Sequence, residues 1–151
     1  MRMRCLSGSS PPNGAAIAAP VFTKGVNIML EAYGLNITAT ANAPVPFSDV
    51  SIRKGCTAIL ASPATINLNT CGVYMVSFDC SAAAALTVQL YKDGVAQPQA
   101  QSTGTTPHFT TLVQADRNNN GCVCSSPTTI QVIALDAGTI TDANIVVTKV
   151  C

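Results

Sequence analysis

The residues that could catalyse a reaction or bind a metal are few in this 151-residue chain, and they are not grouped for either task. A Ser-His-Asp triad needs a histidine held between an acid and a nucleophile. The single histidine, His108, follows Pro107 in a polar stretch without such partners nearby, which favours a loop or a strand end. Cys122 and Cys124 are separated by one residue, whereas common zinc knuckles place two between their cysteines. We therefore expect no catalytic residue, no metal site and no cofactor.

The seven acidic residues fit structural positions better than a pair of catalytic carboxylates. Asp93, Asp116, Asp136 and Asp142 each sit beside turn residues, where an aspartate side chain accepts hydrogen bonds from the backbone. Asp79 is the exception, because it falls in the middle of a predicted strand. It is either a partner for a basic residue across a subunit contact or a solvated strand residue. No glycine-rich loop leads from a strand into a helix, so nothing favours nucleotide binding.

The cysteines allow more than one interpretation. In a small secreted protein they would indicate a disulfide framework. Residues 1–12, however, contain basic residues followed by polar and proline-rich ones, where a signal peptide would place an apolar stretch. We therefore expect reduced thiols, most of them small buried core residues. The two cysteines at the chain ends are candidates for an intersubunit contact. The seven are Cys5, Cys56, Cys71, Cys80, Cys122, Cys124 and Cys151.

Charge is scarce: 10% of the residues are Asp, Glu, Lys or Arg, compared with about 25% in a typical soluble domain. The eight basic residues are scattered from Arg2 to Lys149, so there is no cluster with which to bind nucleic acid. A membrane helix needs roughly 20 consecutive apolar residues, and no run here approaches that length. We expect a protein kept in the cytosol, or exported only as part of a larger particle.

The chain divides into an N-terminal arm, residues 1–34, and a strand-rich domain, residues 35–151. Residues 1–14 are rich in Ser, Pro, Gly and Asn, as in a flexible attachment segment. Residues 26–33 are compatible with a short helix capped by Gly34 or with a buried strand. From Leu35 onward apolar and polar residues alternate, which predicts strands. The predicted strands cover residues 35–40, 66–69, 73–80, 86–92, a return strand from 95, 109–114, 128–135 and 144–150.

Turn residues separate these strands, and Asp93-Gly94 between two of them is a strong hairpin signal. The prolines of Pro44-Val45-Pro46-Phe47 predict an edge or a connection, because proline cannot donate to a strand ladder. Many short strands at this spacing predict an all-β antiparallel sandwich or jelly roll.

The order of several short motifs resembles the trimeric jelly-roll domains of the tumour-necrosis-factor and complement type. It is most similar to bacterial and phage versions, namely the C-terminal domains of collagen-like spore-surface proteins and phage head-fibre or capsid-decoration proteins. Gly72-x-Tyr74 followed by Asp93-Gly94 carries the resemblance, although no collagen-like stalk precedes the domain. The resemblance implies a homotrimer whose apolar sheet faces pack around a threefold axis. The supporting segments are residues 45–50, 66–68, 71–78, 86–95 and 144–147.

These observations favour a non-enzymatic structural protein of a virion, a trimeric head-fibre or capsid-decoration protein assembled in the host cytoplasm. Residues 1–34 would attach it to a major capsid protein or another particle component. The alternative is a carbohydrate- or receptor-binding module on a phage, spore or cell surface. In that case loops 97–109 and 116–121 would contact a host-surface glycan, although the chain has no Trp, three Tyr and four Phe for stacking on sugars.

Overall fold

The computed structural model describes residues 28–55, 57–115 and 127–151, and all regular elements in these ranges are β-strands. The predictions for residues 1–27, for Cys56 and for residues 116–126, including Asp116, Cys122 and Cys124, lie outside the described residues. The strands are β1 (Met29–Ala39), β2 (Ala43–Pro44), β3 (Asp49–Lys54), β4 (Ala58–Ser62), β5 (Thr65–Leu68), β6 (Gly72–Ala82), β7 (Leu86–Lys92), β8 (Val95–Gly104), β9 (His108–Ala115), β10 (Thr128–Ala134) and β11 (Gly138–Lys149).

The strands form two antiparallel sheets that pack as a sandwich, which confirms the predicted all-β jelly-roll class. The five-stranded sheet has the order β3-β1-β11-β6-β9, so the first and last long strands lie side by side at its centre. The six-stranded sheet has the order β4-β5-β10-β7-β8, with the short β2 paired to β10. Each sheet buries one face in the sandwich and leaves the other available to solvent or to a partner.

The first strand begins earlier than Leu35. Residues 29–33 pair with both β11 and β3, so the described part of the segment that could have been a helix is a strand. The alternation continues across the whole strand, with Leu30, Ala32, Ile37 and Ala39 buried toward the core. Residues 29–34 therefore belong to the five-stranded sheet.

The β7–β8 hairpin forms where Asp93-Gly94 predicts it. Both residues have positive φ angles, 50° and 82°, as a tight two-residue turn requires. The Asp93 carboxylate accepts a hydrogen bond from the backbone N–H of Thr129 at 2.9 Å, which ties the turn to β10. Pro44 ends β2 and Pro46 lies in the connection from β2 to β3, as the prolines predict. Val45 still donates its backbone N–H to the carbonyl oxygen of Val132 in β10, at 2.8 Å.

The core is made of the alternate residues of the long strands. Tyr74, Val76, Phe78 and Cys80 of β6 all point inward, as the alternation predicts. Phe78 stands between two other rings: it packs edge-on against Phe47, at 6.3 Å between ring centroids, and is stacked with Phe109 at 5.5 Å. These contacts join β6, β9 and the connection before β3.

Three strands are absent from the predicted set: β3, β4 and the two-residue β2. All six residues of β3 are exposed, and β4 is buried only at its first residues. Edge strands of this kind lack the alternation by which a strand is recognised in a sequence. Within the described ranges no helix is long and apolar enough to cross a membrane.

Candidate functional site

His108 is the first residue of β9 and is exposed on the outward face of the five-stranded sheet. It lies opposite Asp79 of β6, an acid-histidine juxtaposition that sequence reasoning missed because 28 residues separate the two. The imidazole Nδ1 lies 3.3 Å from the carbonyl oxygen of Thr106. Among the described residues no hydrogen bond joins His108 to Asp79. The pair therefore lacks the oriented acid-base contact that a catalytic triad requires.

The aspartates lie in turns and within strands, as the sequence suggests, except that one predicted turn position is wrong. Asp93 and Asp136 are turn residues, and the Asp136 carboxylate accepts a hydrogen bond from the backbone N–H of Thr87 at 2.8 Å. Asp79 lies in the middle of β6 and points outward, as predicted. Asp142 does not flank a turn: it lies within β11, next to a bulge in the pairing with β6, so its predicted turn position is wrong.

The described cysteines differ from one another. Cys80 is buried, and burial raises the pKa of its thiol to about 12, with the nearby carboxylates of Asp79 and Asp142 acting in the same direction. Such a thiol is not a nucleophile near neutral pH. Cys71 is half-buried, and Cys151 is disulfide-bonded, so the expectation of a reduced thiol is wrong for Cys151. Over the described part of the chain, no group of three or more His, Cys, Asp or Glu side chains could hold a metal.

One cleft of about 490 Å³ lies between β1 and the connection from β2 to β3. Its lining contains no ionisable side chain, so it offers neither a general acid nor a general base. The lining residues are Gly34, Leu35, Asn36, Ile37, Thr38, Pro46, Phe47, Ser48 and Pro63.

The outward face of the five-stranded sheet has an apolar end and a polar end. At the apolar end Met75 of β6 lies directly opposite Leu112 of β9, and their side chains are 37% and 59% exposed. Thr148 of β11 and Met29 of β1 continue the same row across the sheet. We call the outward residues of β6, β9 and β11 the β6–β9 face: Val73, Met75, Ser77, Asp79, His108, Thr110, Leu112, Gln114, Asn144, Val146 and Thr148.

The middle of the β6–β9 face is neutral and internally bonded. The hydroxyls of Ser77 and Thr110 hydrogen-bond across the strands at 3.1 Å. Asn144 donates its side-chain N–H to the Glu31 carboxylate at 3.2 Å, so this acidic residue of β1 has a partner within the sheet. The side chains of Ser77, Thr110 and Asn144 are uncharged and bonded within the sheet, so another protein can cover them without burying an unpaired charge.

The outward face of the six-stranded sheet is also neutral, but it is rich in amides and hydroxyls. Thr87 and Thr103 hydrogen-bond through their hydroxyls at 2.9 Å, and Gln131 donates to the hydroxyl of Thr65 at 2.9 Å. Between these pairs lies Gln89, which points outward from β7 and yet is only 8% exposed. The sequence shows Gln89 as an ordinary polar residue of an alternating strand, and nothing in the alternation reveals its burial.

Comparison with known proteins shows the fold. No family model matches the chain, and no curated protein matches it. Among solved structures it is similar to the globular domain of the zebrafish complement 1qA protein, with a TM-score of 0.63, 10% identity, and coverage of 80% of this chain and 94% of that one. It is also similar to murine APRIL at pH 8.5, with a TM-score of 0.61, 12% identity, and coverage of 82% and 98%.

A third similar structure comes from a virus. The chain is similar to vertex protein P5 of the phage PRD1, with a TM-score of 0.57, 13% identity, and coverage of 82% of this chain and 97% of that one. Together these matches confirm the resemblance to jelly-roll domains of the tumour-necrosis-factor and complement type. At identities of 10–13% the resemblance is one of fold.

Proposed function

We propose that this chain is a non-enzymatic structural subunit that forms a homotrimer through the β6–β9 face. The single observation that carries the proposal is the exposed Met75–Leu112 pair at the apolar end of the β6–β9 face. A chain with so little charge has few ways to keep such a face soluble as a monomer. Packing the face of one copy against another copy removes the apolar side chains from water.

The polarity of the face is consistent with a repeated contact between copies. Its apolar end contains Met75 and Leu112, and β9 is the edge strand of the five-stranded sheet. Its middle carries hydroxyl and amide groups and one apolar side chain, Val146. Asp79 and His108 lie four residue pairs along the strands from Met75 and Leu112. When one face binds a different face of the next copy, the contacts form a closed ring if the rotation between copies closes.

We further propose that the trimer is a head-fibre or capsid-decoration protein of a virion. Residues 1–34 would attach it to the major capsid protein or another particle component; because residues 29–34 are part of β1, the attaching portion is residues 1–27. The similarity in fold to the vertex protein of PRD1 supports this reading, as do the neutral surface and the proline-rich arm. Attachment to a spore surface is the alternative location.

Deletion of residues 1–27 tests the attachment. Because β1 begins at Met29, the truncated chain keeps every described strand and should remain a folded oligomer. Mixed with particles that lack the full-length protein, it should stay in the supernatant on sedimentation, whereas the full-length chain should sediment with them. Equal sedimentation of both chains would show that the jelly roll, and not the arm, makes the attachment.

A further inference from the structure

Gln89 lies on the outward face of the six-stranded sheet and is nonetheless nearly buried. Its neighbours in β7, Val88 and Leu90, are fully buried in the core, so the Gln89 side chain points to the opposite face. Ile133 lies directly across from it in β10 and is also 8% exposed. Two adjacent side chains on this face therefore point outward and are still more than nine-tenths buried.

The amide of Gln89 is unused by the protein. Among the described residues none hydrogen-bonds to its side chain, and neither its oxygen nor its nitrogen is sealed from solvent. A side chain that is nearly buried ordinarily finds a protein partner for its polar atoms. Gln89 therefore has one acceptor and two donors that a ligand at this face can use.

A bulge in β8 lies beside Gln89. In the hairpin, Gln89 pairs with Gln101 while Tyr91 pairs with Ala96, so Leu90 of β7 faces the four residues 97–100 of β8. Ala100 turns inward and is buried, which leaves residues 97–99 to stand out at the sheet edge. The Gln97 side chain is held there by a hydrogen bond to the carbonyl oxygen of Val95 at 3.0 Å. Bulges of this kind redirect side chains and occur next to binding sites.

Tyr91 and Gln131 add an aromatic ring and another amide to the same face. Tyr91 follows Gln89 on the same face, is half-buried, and has a hydroxyl that no described residue hydrogen-bonds. On the far side, Gln131 lies across from Tyr91 and is fixed by its bond to Thr65. We call this set the Gln89 patch: Thr65, Thr87, Gln89, Tyr91, Gln101, Thr103, Gln131 and Ile133.

The chemistry of the patch selects a class of ligand. It contains amides, hydroxyls, one phenol ring and no ionisable carboxylate or amine, so it offers no charge to a phosphate, a sulfate or a carboxylate. The backbone groups of β7 are already paired with β10 on one side and with β8 on the other, so an extended peptide cannot add as a strand there. A ligand must therefore be recognised by side chains. The amides can bond to adjacent hydroxyls of the ligand, and an apolar face of the ligand can stack on the Tyr91 ring.

We propose that the Gln89 patch binds a neutral saccharide, with the Gln89 amide bonded to adjacent sugar hydroxyls and the Tyr91 ring against the sugar face. This is a function beyond the structural one, and it does not depend on the trimer, because the patch lies on the other sheet. The prediction of a binding loop at residues 97–109 is wrong for residues 97–104, which belong to β8, and the patch is formed by side chains of β5, β7, β8 and β10.

The proposal is tested by native gel electrophoresis of the full chain through gels that contain glucan, mannan, galactan or heparin. At least one neutral polysaccharide should retard the protein, and heparin should not. The variants Gln89→Ala and Tyr91→Ala should raise the dissociation constant for that polysaccharide tenfold or more. Asn67→Ala is the matched control, because it removes an amide from the same sheet outside the patch, and it should change the constant less than twofold.

Circular dichroism checks that each variant is folded. If Gln89→Ala does not fold, Tyr91→Phe keeps the ring, removes only the hydroxyl, and should still weaken binding at least threefold. Absence of retardation by every neutral polysaccharide would overturn the proposal. So would retardation by heparin alone, or retardation that both patch variants retain in full.

Discussion

Replacing Leu112 by aspartate should dissociate the trimer and leave the subunit folded. The Leu112 side chain is 59% exposed on the β6–β9 face, and the proposed interface covers it. Burying a whole leucine side chain is worth about 1.5–3 kcal/mol, so covering the exposed part is worth about 1–2 kcal/mol per subunit. For three copies the loss is about 3–6 kcal/mol, equivalent to roughly 10²–10⁴-fold in the association constant.

The aspartate adds a second penalty, because a carboxylate buried without a partner costs several kcal/mol per ion by order of magnitude. The assay is sedimentation velocity of the wild type and of Leu112→Asp at equal concentrations, with circular dichroism to confirm the fold. Val95→Asp is the matched control: Val95 is 63% exposed, but it begins β8 in the other sheet. A Leu112→Asp protein that sediments as the wild type does, or a Val95→Asp protein that dissociates equally, would refute the assignment of the interface.

Three further predictions concern the subunit itself. Gly72→Ala should lower the free energy of unfolding by more than about 2 kcal/mol, because Gly72 has a φ of 147° and an added Cβ would meet the Cys151 carbonyl oxygen and the Lys149 side chain. Gly94 has a φ of 82° but open space around it, so Gly94→Ala should lower the free energy of unfolding less. Urea denaturation measures both effects. Because the pKa of the Cys80 thiol is raised from 9.0 to about 12, the neutral thiol stabilises the fold fully below pH 9, and this stabilisation is lost as the pH rises toward 12. Between pH 8 and pH 10.5 the wild type should therefore lose more stability than Cys80→Ala. Equal losses in the two proteins would contradict this prediction. Reduction of the Cys151 disulfide should lower stability by about 2–4 kcal/mol, and dithiothreitol should have no such effect on Cys151→Ser.

The sequence predicts the strands whose two sides differ in polarity and fails where that difference is missing. Alternate residues of β6 are buried in the core, Leu86, Val88 and Leu90 of β7 alternate with polar residues, and the Asp93-Gly94 turn has a specific backbone requirement, so all three can be recognised without a structure. β3 has six exposed residues and β4 is a short edge strand, so neither leaves a periodic signal. The sequence does not distinguish a helix from a strand at residues 26–33, because these residues are mostly apolar without a clear period.

The candidate surfaces depend on which strands become neighbours, and this information is not local. Met75 and Leu112 form one exposed pair only because β6 and β9 are adjacent. The burial of Gln89 depends on Ile133 from β10 and on the β8 bulge, neither of which can be inferred from the alternation in β7. The disulfide state of Cys151 is likewise hidden, since the prediction of reduced thiols rested on the polar N-terminus alone.

Multi-angle light scattering of the purified full-length chain tests the central claim most directly. The trimer assigned to the β6–β9 face predicts a mass three times the 15.5 kDa of the chain, constant over a tenfold range of concentration. A single species at the mass of one chain over the same range would contradict it.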